Sequence, residues 1–419
     1  MRFGIHTLDD FDFMGKTVLV RVDINQPIDR KNNTLKSINR IKACLPTISE
    51  LSDKQAKVVL LAHQGSDIEY QNFCSITPHA KVLSELLKRP VRFIDDVCGP
   101  AARECICTLQ NGEILLLDNV RYLSEEQTLF ETKLCLTHEQ QADTLLIRLL
   151  APLADYYVCD AFAAAHRNQP SLCGFEQRLP SAMGRLFEEE YCKVTQLLDQ
   201  PRRPCVYVLG GAKVGDAFAI MDTVLAQKKA DFVITGGVVA NILLAAAGYA
   251  IGSGSEEYIK RQHYWEYVER IRPVYLRYKE QILLPADVAW QQNGERLEAA
   301  IGCLPDDISI VDIGHKTAEI YSRIIKKART IFANGPMGVF EKKTSEFGTD
   351  CVWKAVADSE GFTLIGGGDS IAAAEKLGIV DQISYVSTGG GALIRFLTGE
   401  ELPVIRALRH SVELEKGEV

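Results

Sequence analysis

The sequence predicts a doubly wound α/β protein in which parallel β-sheets carry helices on both faces. Short apolar runs alternate with amphipathic stretches almost from end to end, an order typical of parallel strands linked by helices. In the second half of the chain, several of these runs end directly in glycine-rich turns. The length of 419 residues allows two or three domains, each with its own core.

The apolar runs and the helical patterns between them predict the individual elements. In the first half the predicted strands are Thr17–Val22, Val58–Ala62, Val91–Ile94, Ile114–Leu117 and Tyr156–Val158, and the predicted helices are Ile38–Leu51, Pro78–Leu87 and His138–Leu150. In the second half the predicted strands are Cys205–Leu209, Phe232–Thr235, Ile282–Pro285, Thr330–Ala333, Phe362–Ile365 and Ile383–Val386.

The stretch Pro180–Pro204 is predicted to separate two domains. Apolar residues recur at helical spacing from Phe187 to Leu198, and the following Asp-Gln-Pro-Arg-Arg-Pro ends the helix. We therefore expect one domain over 1–180, a hinge helix and linker over 181–204, and a second domain over 205–399.

The composition indicates a cytoplasmic globular enzyme. A formal charge of −8 argues against general nucleic-acid binding, and the longest apolar stretch, Val238–Ile251, is too short to cross a membrane. The acidic first residues lack the apolar core of a signal peptide, so we expect none. Twelve scattered cysteines without such a peptide predict reduced, mostly buried thiols, and their spacing does not favour zinc.

Four glycine-rich turns predict a nucleotide site. They read Leu-Gly-Gly-Ala-Lys at 209–213, Thr-Gly-Gly at 235–237, Ile-Gly-Gly-Gly-Asp at 365–369 and Ser-Thr-Gly-Gly-Gly-Ala at 387–392. A strand that ends in glycines and runs into a helix leaves bare amides at a helix N-terminus, which bind phosphate. One such turn could be only a tight bend, but four suggest a single site at the carboxyl ends of a parallel sheet.

The strand ends of the first half carry cations and strong hydrogen-bonding groups instead. Arginine grips phosphate and carboxylate groups bidentately, so this set predicts a small, highly anionic substrate. Its members are Arg21, Asp23, Asn25, His63, Gln64, Asn119, Arg121, Asp160, His166 and Arg167, with Arg40 at the start of a helical pattern.

The common nucleotide signatures are absent from the sequence. It contains no G-x-x-x-x-G-K-[ST] loop, no protein-kinase H-R-D and D-F-G pair, and no strict G-x-G-x-x-G. An NAD-dependent oxidoreductase stays open as an alternative, because glycine-rich turns also bind dinucleotides.

Nine segments in order along the chain resemble the phosphoglycerate kinase family, with A-H-R-N-Q-P-S closest to its archaeal members. They are VLVRVDINQP (18–27), RIKACLPTI (40–48), LLDNVRY (116–122), DAFAAAHRNQPS (160–171), LGGAKVGD (209–216), DIGHKT (312–317), NGPMGVFE (334–341), IGGGDS (365–370) and VSTGGGA (386–392). The resemblance implies two Rossmann-like domains joined by a hinge helix, with residues 400–419 packed on the first domain. It also implies reversible phosphoryl transfer between MgATP and the carboxylate of 3-phosphoglycerate, giving 1,3-bisphosphoglycerate and MgADP, in a monomer or homodimer.

The resemblance also assigns roles to residues. Catalysis would involve Arg40, Lys213, Gly367 and Gly390, and the substrate would be bound by Asp23, Asn25, Arg40, His63, Gln64, Arg121, His166 and Arg167. The nucleotide would be bound by Gly210, Gly211, Lys213, Gly236, Gly237, Asn334, Pro336, Glu341, Gly366, Gly367, Gly368, Asp369 and Ser370, with Asp369 as the Mg²⁺ ligand. Two of these residues have simpler alternatives: His166 could only position Arg167, and Asp369 could only cap a helix.

Four positions depart from the common family pattern. Ser66 and Ala217 stand where many relatives carry a cation, Cys159 where asparagine is usual, and His315 where proline is usual. The loss of two cations leaves a second alternative open, a catalytically weakened relative that acts as a binding or regulatory protein.

Overall fold

The computed structural model describes residues 1–29, 31–32, 34–66 and 72–417, which form two compact units. The first unit comprises Met1–Cys192 and the C-terminal segment from Glu401, and the second comprises Lys193–Glu400. The boundary between them falls inside one helix, Arg185–Asp199, within the stretch expected to hold the linker.

The first unit is built on a seven-stranded sheet in which every pairing is parallel. In chain order the unit's strands are β1 His6–Thr7, β2 Thr17–Arg21, β3 Ile28–Asp29, β4 Thr34–Leu35, β5 Lys57–Leu61, β6 Val91–Ile94, β7 Ile114–Leu117, β8 Tyr156–Cys159 and β9 Ser181–Met183. Their order in the sheet is β1-β9-β8-β2-β5-β7-β6, and β3 with β4 forms a separate antiparallel ladder. All four residues of β7 are buried, as expected where helices cover both faces of a sheet.

The helices of the first unit include the C-terminal helix. They are α1 Asn39–Asp53, α2 Thr77–Leu87, α3 Pro100–Cys107, α4 Thr128–Leu134, α5 His138–Ala142, α6 Leu145–Leu150, α7 Pro170–Cys173, α8 Arg185–Asp199 and, at the C-terminus, α17 Pro403–Lys416. In α17 the Val404 amide donates to Ala165 O over 3.3 Å, and Arg409 Nη2 donates to the Tyr191 hydroxyl over 2.9 Å.

The second unit has a six-stranded parallel sheet and a smaller antiparallel one. Its strands are β10 Cys205–Leu209, β11 Phe232–Thr235, β12 Ile282–Leu283, β13 Asp287–Gln292, β14 Glu295–Ala300, β15 Ile310–Ile313, β16 Thr330–Asn334, β17 Phe362–Ile365 and β18 Tyr385–Val386. The parallel order is β12-β11-β10-β16-β17-β18, and the antiparallel order is β14-β13-β15. Its helices are α9 Val214–Ala226, α10 Gly237–Ala246, α11 Ser253–Arg261, α12 Trp265–Tyr278, α13 His315–Lys327, α14 Phe347–Ala357, α15 Gly368–Leu377 and α16 Gly390–Leu397.

The predicted fold class is confirmed, and most predicted strands lie where the apolar runs placed them. Three predictions need correction. The strand predicted over Ile282–Pro285 ends at Leu283, and the one predicted over Ile383–Val386 begins only at Tyr385. The helix predicted over His138–Leu150 is two helices, α5 and α6.

Contacts of Glu125 and Thr144 explain the break between α5 and α6. The carboxylate of Glu125 accepts hydrogen bonds from the amides of Leu145 and Leu146, at 3.0 and 2.8 Å, and so supplies acceptors to the first turn of α6. The Thr144 hydroxyl donates to Gln141 O over 2.6 Å at the end of α5. Side chains of this kind favour helix ends over continuation.

No helix in the described ranges is both long and apolar enough to span a lipid bilayer.

Candidate active site

Charged residues gather at one edge of the sheet in the first unit. Strands β8, β2, β5 and β7 are neighbours, and in a parallel sheet their carboxyl ends open on the same side. Asp23 follows β2, His63 follows β5, Arg121 follows β7, and Asp160 follows β8. The topology therefore brings together residues that are far apart in the sequence.

Arg40 lies in the first turn of α1 and pairs with Asp23. Its Nη1 donates to Asp23 Oδ2 over 2.6 Å, and Asp23 Oδ1 accepts from the Asn25 amide over 3.1 Å. The side chain of Asp23 is 5% exposed, whereas that of Arg40 keeps 37% of its surface exposed. The buried carboxylate thus fixes Arg40 while part of the guanidinium stays open to a ligand.

His63 is held by Arg21, a residue that the role assignments did not include. Arg21 is fully buried at the end of β2, and its Nη2 lies 3.0 Å from His63 Nδ1. Burial lowers the pKa of the His63 imidazole well below its ordinary value. Nearby guanidinium groups lower it further, namely those of Arg21, Arg121, Arg40 and Arg167. The imidazole is therefore neutral within a cluster of cations.

The side chains of Gln64 and Asn119 hold the loops at this edge. Gln64 Oε1 accepts from the Gln26 amide over 3.0 Å, and its Nε2 donates to Gln26 O and Asn72 O over 2.8 and 3.1 Å. Asn119 Oδ1 accepts from the amides of Gln64 and Arg121 over 3.0 and 3.1 Å. Both side chains are fully buried, so their contacts are structural.

Arg121 and Asn25 both form hydrogen bonds with the backbone of Gly65. Arg121, only 5% exposed, donates through Nη1 to Gly65 O, and Asn25 Oδ1 accepts from the Gly65 amide over 3.0 Å. These contacts anchor the loop after His63 between two candidate substrate residues.

His166 and Arg167 lie half-buried in the segment after β8. Arg167 Nη1 lies 3.3 Å from Glu131 Oε2, and Glu131 Oε1 also accepts from the Asn168 amide over 2.8 Å. The charge of Arg167 is thus partly balanced within the protein. The positioning role considered for His166 remains compatible with this arrangement.

In the second unit, all four glycine-rich turns lie at one edge of the parallel sheet. They join β10 to α9, β11 to α10, β17 to α15, and β18 to α16. Because these strands and β16 are consecutive in the sheet, the turns and the segment Asn334-Gly-Pro336 after β16 line one region.

The expectation that the glycine amides are bare is wrong for several of them. The Gly210 amide donates to Asn334 O over 2.8 Å, and the Gly211 amide donates to Pro336 O over 2.7 Å. The Gly237 and Gly366 amides are also used, by Met337 O and Ala333 O. These bonds join the turns to β16 and to the segment that follows it. The first amides of α15, at Gly368, Asp369 and Ser370, receive no side-chain cap from the described part of the chain, and they stay available at the positive end of a helix.

Gly237 shows why a side chain is excluded here. Its φ of +56° is in the left-handed region, and a Cβ on it would lie 2.8 Å from the Gly211 nitrogen. The turns after β10 and β11 therefore approach each other at a distance that only glycine permits.

A cleft of about 270 Å³ opens beside these turns. Its walls are largely apolar, with Val288, Ile310, Met337 and Val339 among them, and the exposed Glu341 is at its margin. Gly211, Gly237 and Asp369 also line it. An apolar slot next to helix N-termini and a carboxylate suits a nucleobase with its ribose and phosphates.

A buried acid, Asp312, also lines this cleft, and the role assignments did not include it. Burial raises the pKa of its carboxyl group to about 6. Its Oδ2 accepts hydrogen bonds from Gly348 N and Arg296 Nη1 over 2.8 and 2.9 Å, and these two contacts lower the pKa. Arg296 and Gly348 thereby hold the wall of the cleft in place.

Lys213 and Asp369 face solvent at the glycine turns. Lys213 precedes α9, and Asp369 is the second residue of α15. Neither side chain has an ion-pair or hydrogen-bond partner in the described ranges. The N-cap of α15 is Gly367, so the alternative of Asp369 as the N-cap is wrong. Both charges are free to meet a ligand.

The polar residues Asn334 and Ser370 line the same pocket as Lys213 and Asp369. Asn334 Nδ2 donates to Gly366 O over 2.9 Å, and Ser370 Oγ accepts from the Gly335 amide over 2.8 Å. Gly390, which begins α16 at a φ of +49°, has open space where a Cβ would stand.

The residues present fit a magnesium ion that is bound mainly by a nucleotide. Within the described ranges, no three or more His, Cys, Asp or Glu side chains cluster as metal ligands. Mg²⁺ commonly keeps several waters and takes one or two carboxylates together with substrate phosphates. The exposed carboxylate of Asp369 matches that mode.

The four departures from the family pattern occupy different environments. Ser66 is half-buried, Cys159 is fully buried at the end of β8, and Ala217 is 4% exposed in the core of the second unit. His315 is exposed, and its Nδ1 pairs with a Glu298 carboxylate oxygen at 2.7 Å.

Comparisons with known proteins identify the family. The family model described as phosphoglycerate kinase matches residues 8–400. The chain is 46% identical over 409 residues to the phosphoglycerate kinase of Methanothermobacter thermautotrophicus, covering 98% of each protein. It is likewise 46% identical over 414 residues to that of Methanococcus maripaludis, covering 98% of this chain and 99% of the relative.

The chain belongs to the phosphoglycerate kinase family. It is also similar to the crystal structure of phosphoglycerate kinase from Pyrococcus horikoshii, with a TM-score of 0.88 and 42% identity over 98% of this chain and 100% of the other. The predicted kinase class, its place in glycolysis and the resemblance to archaeal members are confirmed. None of these findings favours an NAD-dependent oxidoreductase or a weakened binding protein.

Proposed function

We propose that the chain transfers a phosphoryl group reversibly between MgATP and the carboxylate of 3-phosphoglycerate, giving 1,3-bisphosphoglycerate and MgADP. In the forward direction, a carboxylate oxygen attacks the γ-phosphorus, and the bond to the β-phosphate oxygen of ATP breaks. The observation that carries this proposal is the contrast between two strand edges, one cationic and one rich in glycine, in a member of this family.

The edge of the first unit would bind 3-phosphoglycerate. Arg40, Arg121 and Arg167 offer planar guanidinium groups suited to phosphate and carboxylate oxygens. Asn25 would orient the hydroxyacid directly, and Asp23 would do so by fixing the position of Arg40. The buried contacts of Gln64 support a positioning role for this residue rather than a direct contact with substrate.

The edge of the second unit would bind the nucleotide. The apolar cleft would receive the adenine, Glu341 would accept from the ribose hydroxyls, and Lys213 would contact the phosphates. The free amides at the start of α15 would receive phosphate oxygens. The turns with Gly210, Gly211, Gly236, Gly237 and Gly366 would shape the floor of the site.

Asp369 would hold Mg²⁺ directly or through water, together with oxygens of the nucleotide. The ion supplies charge neutralisation at the β- and γ-phosphates when bound. Its neighbours Gly367, Gly368 and Ser370 would keep the start of α15 close to these phosphates.

The reaction needs no general base from the protein. The attacking carboxylate is already ionised at neutral pH, since the ordinary pKa of such a group is near 4. Catalysis then depends on alignment and on neutralising charge as the phosphoryl group moves. Arg40, partly exposed and fixed by Asp23, would stabilise that charge, and Lys213, Gly367 and Gly390 would do so from the nucleotide side.

We further propose a cytoplasmic enzyme, active as a monomer or homodimer, without nucleic-acid or membrane partners. All twelve cysteines are free thiols, as expected in a reducing compartment, and the formal charge is −8.

A coupled assay tests the reaction. The purified chain receives ATP, Mg²⁺ and 3-phosphoglycerate, and an NADH-consuming dehydrogenase removes the acyl phosphate as it forms. We expect NADH consumption only when all three components are present. Absence of consumption, or consumption that persists without 3-phosphoglycerate, would contradict the proposal.

A further inference from the structure

The side chain of Arg21 is committed to contacts inside the first unit. It is fully buried, and three of its nitrogens have partners. Nε donates to Ser171 Oγ over 3.0 Å, Nη1 donates to Val22 O over 2.6 Å, and Nη2 lies 3.0 Å from His63 Nδ1. Arg21 is therefore placed to act through His63 and not on a ligand.

The contact between Arg21 and His63 determines where the imidazole carries its proton. A guanidinium has only donors, so His63 Nδ1 must accept the hydrogen bond. A proton on Nδ1 would set two donors against each other at 3.0 Å. The neutral ring consequently carries its hydrogen on Nε2, because the hydrogen bond at one nitrogen sets the state of the other.

Arg21 is itself anchored by a buried carboxyl group. Ser171 Oγ accepts from Arg21, so its own hydrogen is directed to Glu126 Oε2 over 2.7 Å, while the Ser171 amide donates to Glu126 Oε1 over 2.5 Å. Ser171 and Glu126 are both fully buried. The chain Glu126–Ser171–Arg21–His63 thus links an acidic group in the interior to the imidazole at the strand edge.

Nε2 lies on the side of the ring away from Arg21. Within the described ranges, no residue forms a hydrogen bond with it. His63 keeps 7% of its surface exposed, so an imidazole N–H group without a partner in the protein can donate to an acceptor on a ligand. An anionic substrate at this edge supplies one.

We infer that Arg21 is a positioning residue that holds His63 as the Nε2–H tautomer, so that His63 donates a hydrogen bond to an oxygen of the substrate. This inference rests on the proposed function for the substrate at this edge. The state of the ring itself can be tested without any activity measurement.

The direct test is the nitrogen NMR spectrum of the full-length protein labelled with ¹⁵N. Long-range correlations from the ring protons distinguish a protonated from an unprotonated nitrogen, and the His63 signals are those lost in His63→Gln. We expect a protonated Nε2 and an unprotonated Nδ1 from pH 6 to 8. A proton on Nδ1, or a doubly protonated ring at pH 7, would overturn the inference.

A double-mutant cycle then tests the effect on substrate. Arg21→Met combined with Glu126→Gln removes the buried guanidinium and the buried carboxyl group, and is expected to raise the KM for 3-phosphoglycerate roughly tenfold or more, with the KM for MgATP unchanged. In a His63→Gln background the same pair should have less than about a twofold effect, because a glutamine amide donates without help from Arg21. An equal loss in both backgrounds would mean that Arg21 acts independently of His63.

Two controls keep the outcomes distinct. Arg178→Met removes an exposed arginine that pairs with Asp143 at 2.7 Å, and should change neither KM. If the buried pair of substitutions prevents folding, Ser171→Ala removes only the hydroxyl that anchors Arg21, and should raise the KM for 3-phosphoglycerate only when His63 is present. If the wild-type chain shows no turnover, the proposed function fails, while the NMR spectrum still decides the tautomer.

Discussion

Replacing Arg40 with methionine separates catalysis from stability. The substitution removes the 2.6 Å contact with Asp23 Oδ2, and the buried carboxylate of Asp23 loses one of its two donors. Leaving such a group unsatisfied costs about 1–3 kcal/mol of folding free energy. Removing an arginine that neutralises charge in phosphoryl transfer lowers kcat by about 10³–10⁵, equivalent to about 4–7 kcal/mol of barrier.

The coupled assay and urea denaturation together measure both quantities. We expect kcat of Arg40→Met to fall by about 10³ or more, with the KM for MgATP unchanged within about twofold. Arg40→Lys keeps the positive charge but lacks the two-pronged guanidinium group, so its kcat should lie between those of wild type and Arg40→Met. Arg178→Met, which removes an exposed ion pair, should match wild type in rate. The role of Arg40 would be contradicted if Arg40→Met lost no more activity than Arg178→Met, or if its affinity for the nucleotide fell as much as kcat.

Three further predictions concern the glycine turns, the metal and a buried acid. Gly237→Ala should cost about 1–3 kcal/mol of stability and raise the KM for MgATP, because its Cβ would lie 2.8 Å from the Gly211 nitrogen. The control is Gly248→Ala, where φ is also positive but an added Cβ would have no atom within 4 Å, and it should leave that KM unchanged. Asp369→Asn should raise the Mg²⁺ concentration for half-maximal rate about tenfold or more without lowering the melting temperature, and an unchanged Mg²⁺ dependence would remove its metal role. Burial raises the pKa of Asp160 to about 7, above its value in the unfolded chain. The contribution of Asp160 to wild-type stability should therefore fall between about pH 4 and about pH 7. In urea denaturation, the stability of Asp160→Asn relative to wild type should rise by up to about 4 kcal/mol over that range, and a constant difference would show that Asp160 titrates normally.

The sequence predicted the two parallel sheets because their strands are buried on both faces and read as continuous apolar runs. It did not predict the antiparallel sheet β14-β13-β15, whose strands are less apolar. A signal for it was present: Asn293-Gly294 joins β13 to β14 with both residues at positive φ, the conformation of a two-residue hairpin turn. The division of the helix at 138–150 was not predictable, because it depends on Glu125 from another segment.

The residue types at strand ends indicated which side chains belong to the candidate site, and the topology explains why they gather there. The support around them depends on tertiary contacts that spacing does not reveal. Arg21 reads as one more strand-end cation, yet it is fully buried against His63 and Ser171. Gln64 reads as a ligand, yet its amide is taken up by backbone groups of neighbouring loops.

Calorimetric titration of wild type, Arg40→Met and Lys213→Met with 3-phosphoglycerate and with MgADP tests most directly whether the two strand edges bind two different ligands. We expect Arg40→Met to weaken binding of 3-phosphoglycerate alone and Lys213→Met to weaken binding of MgADP alone. The assignment of the two edges would be contradicted if either variant bound both ligands equally more weakly than wild type. It would also be contradicted if Arg40→Met weakened only MgADP binding and Lys213→Met weakened only 3-phosphoglycerate binding.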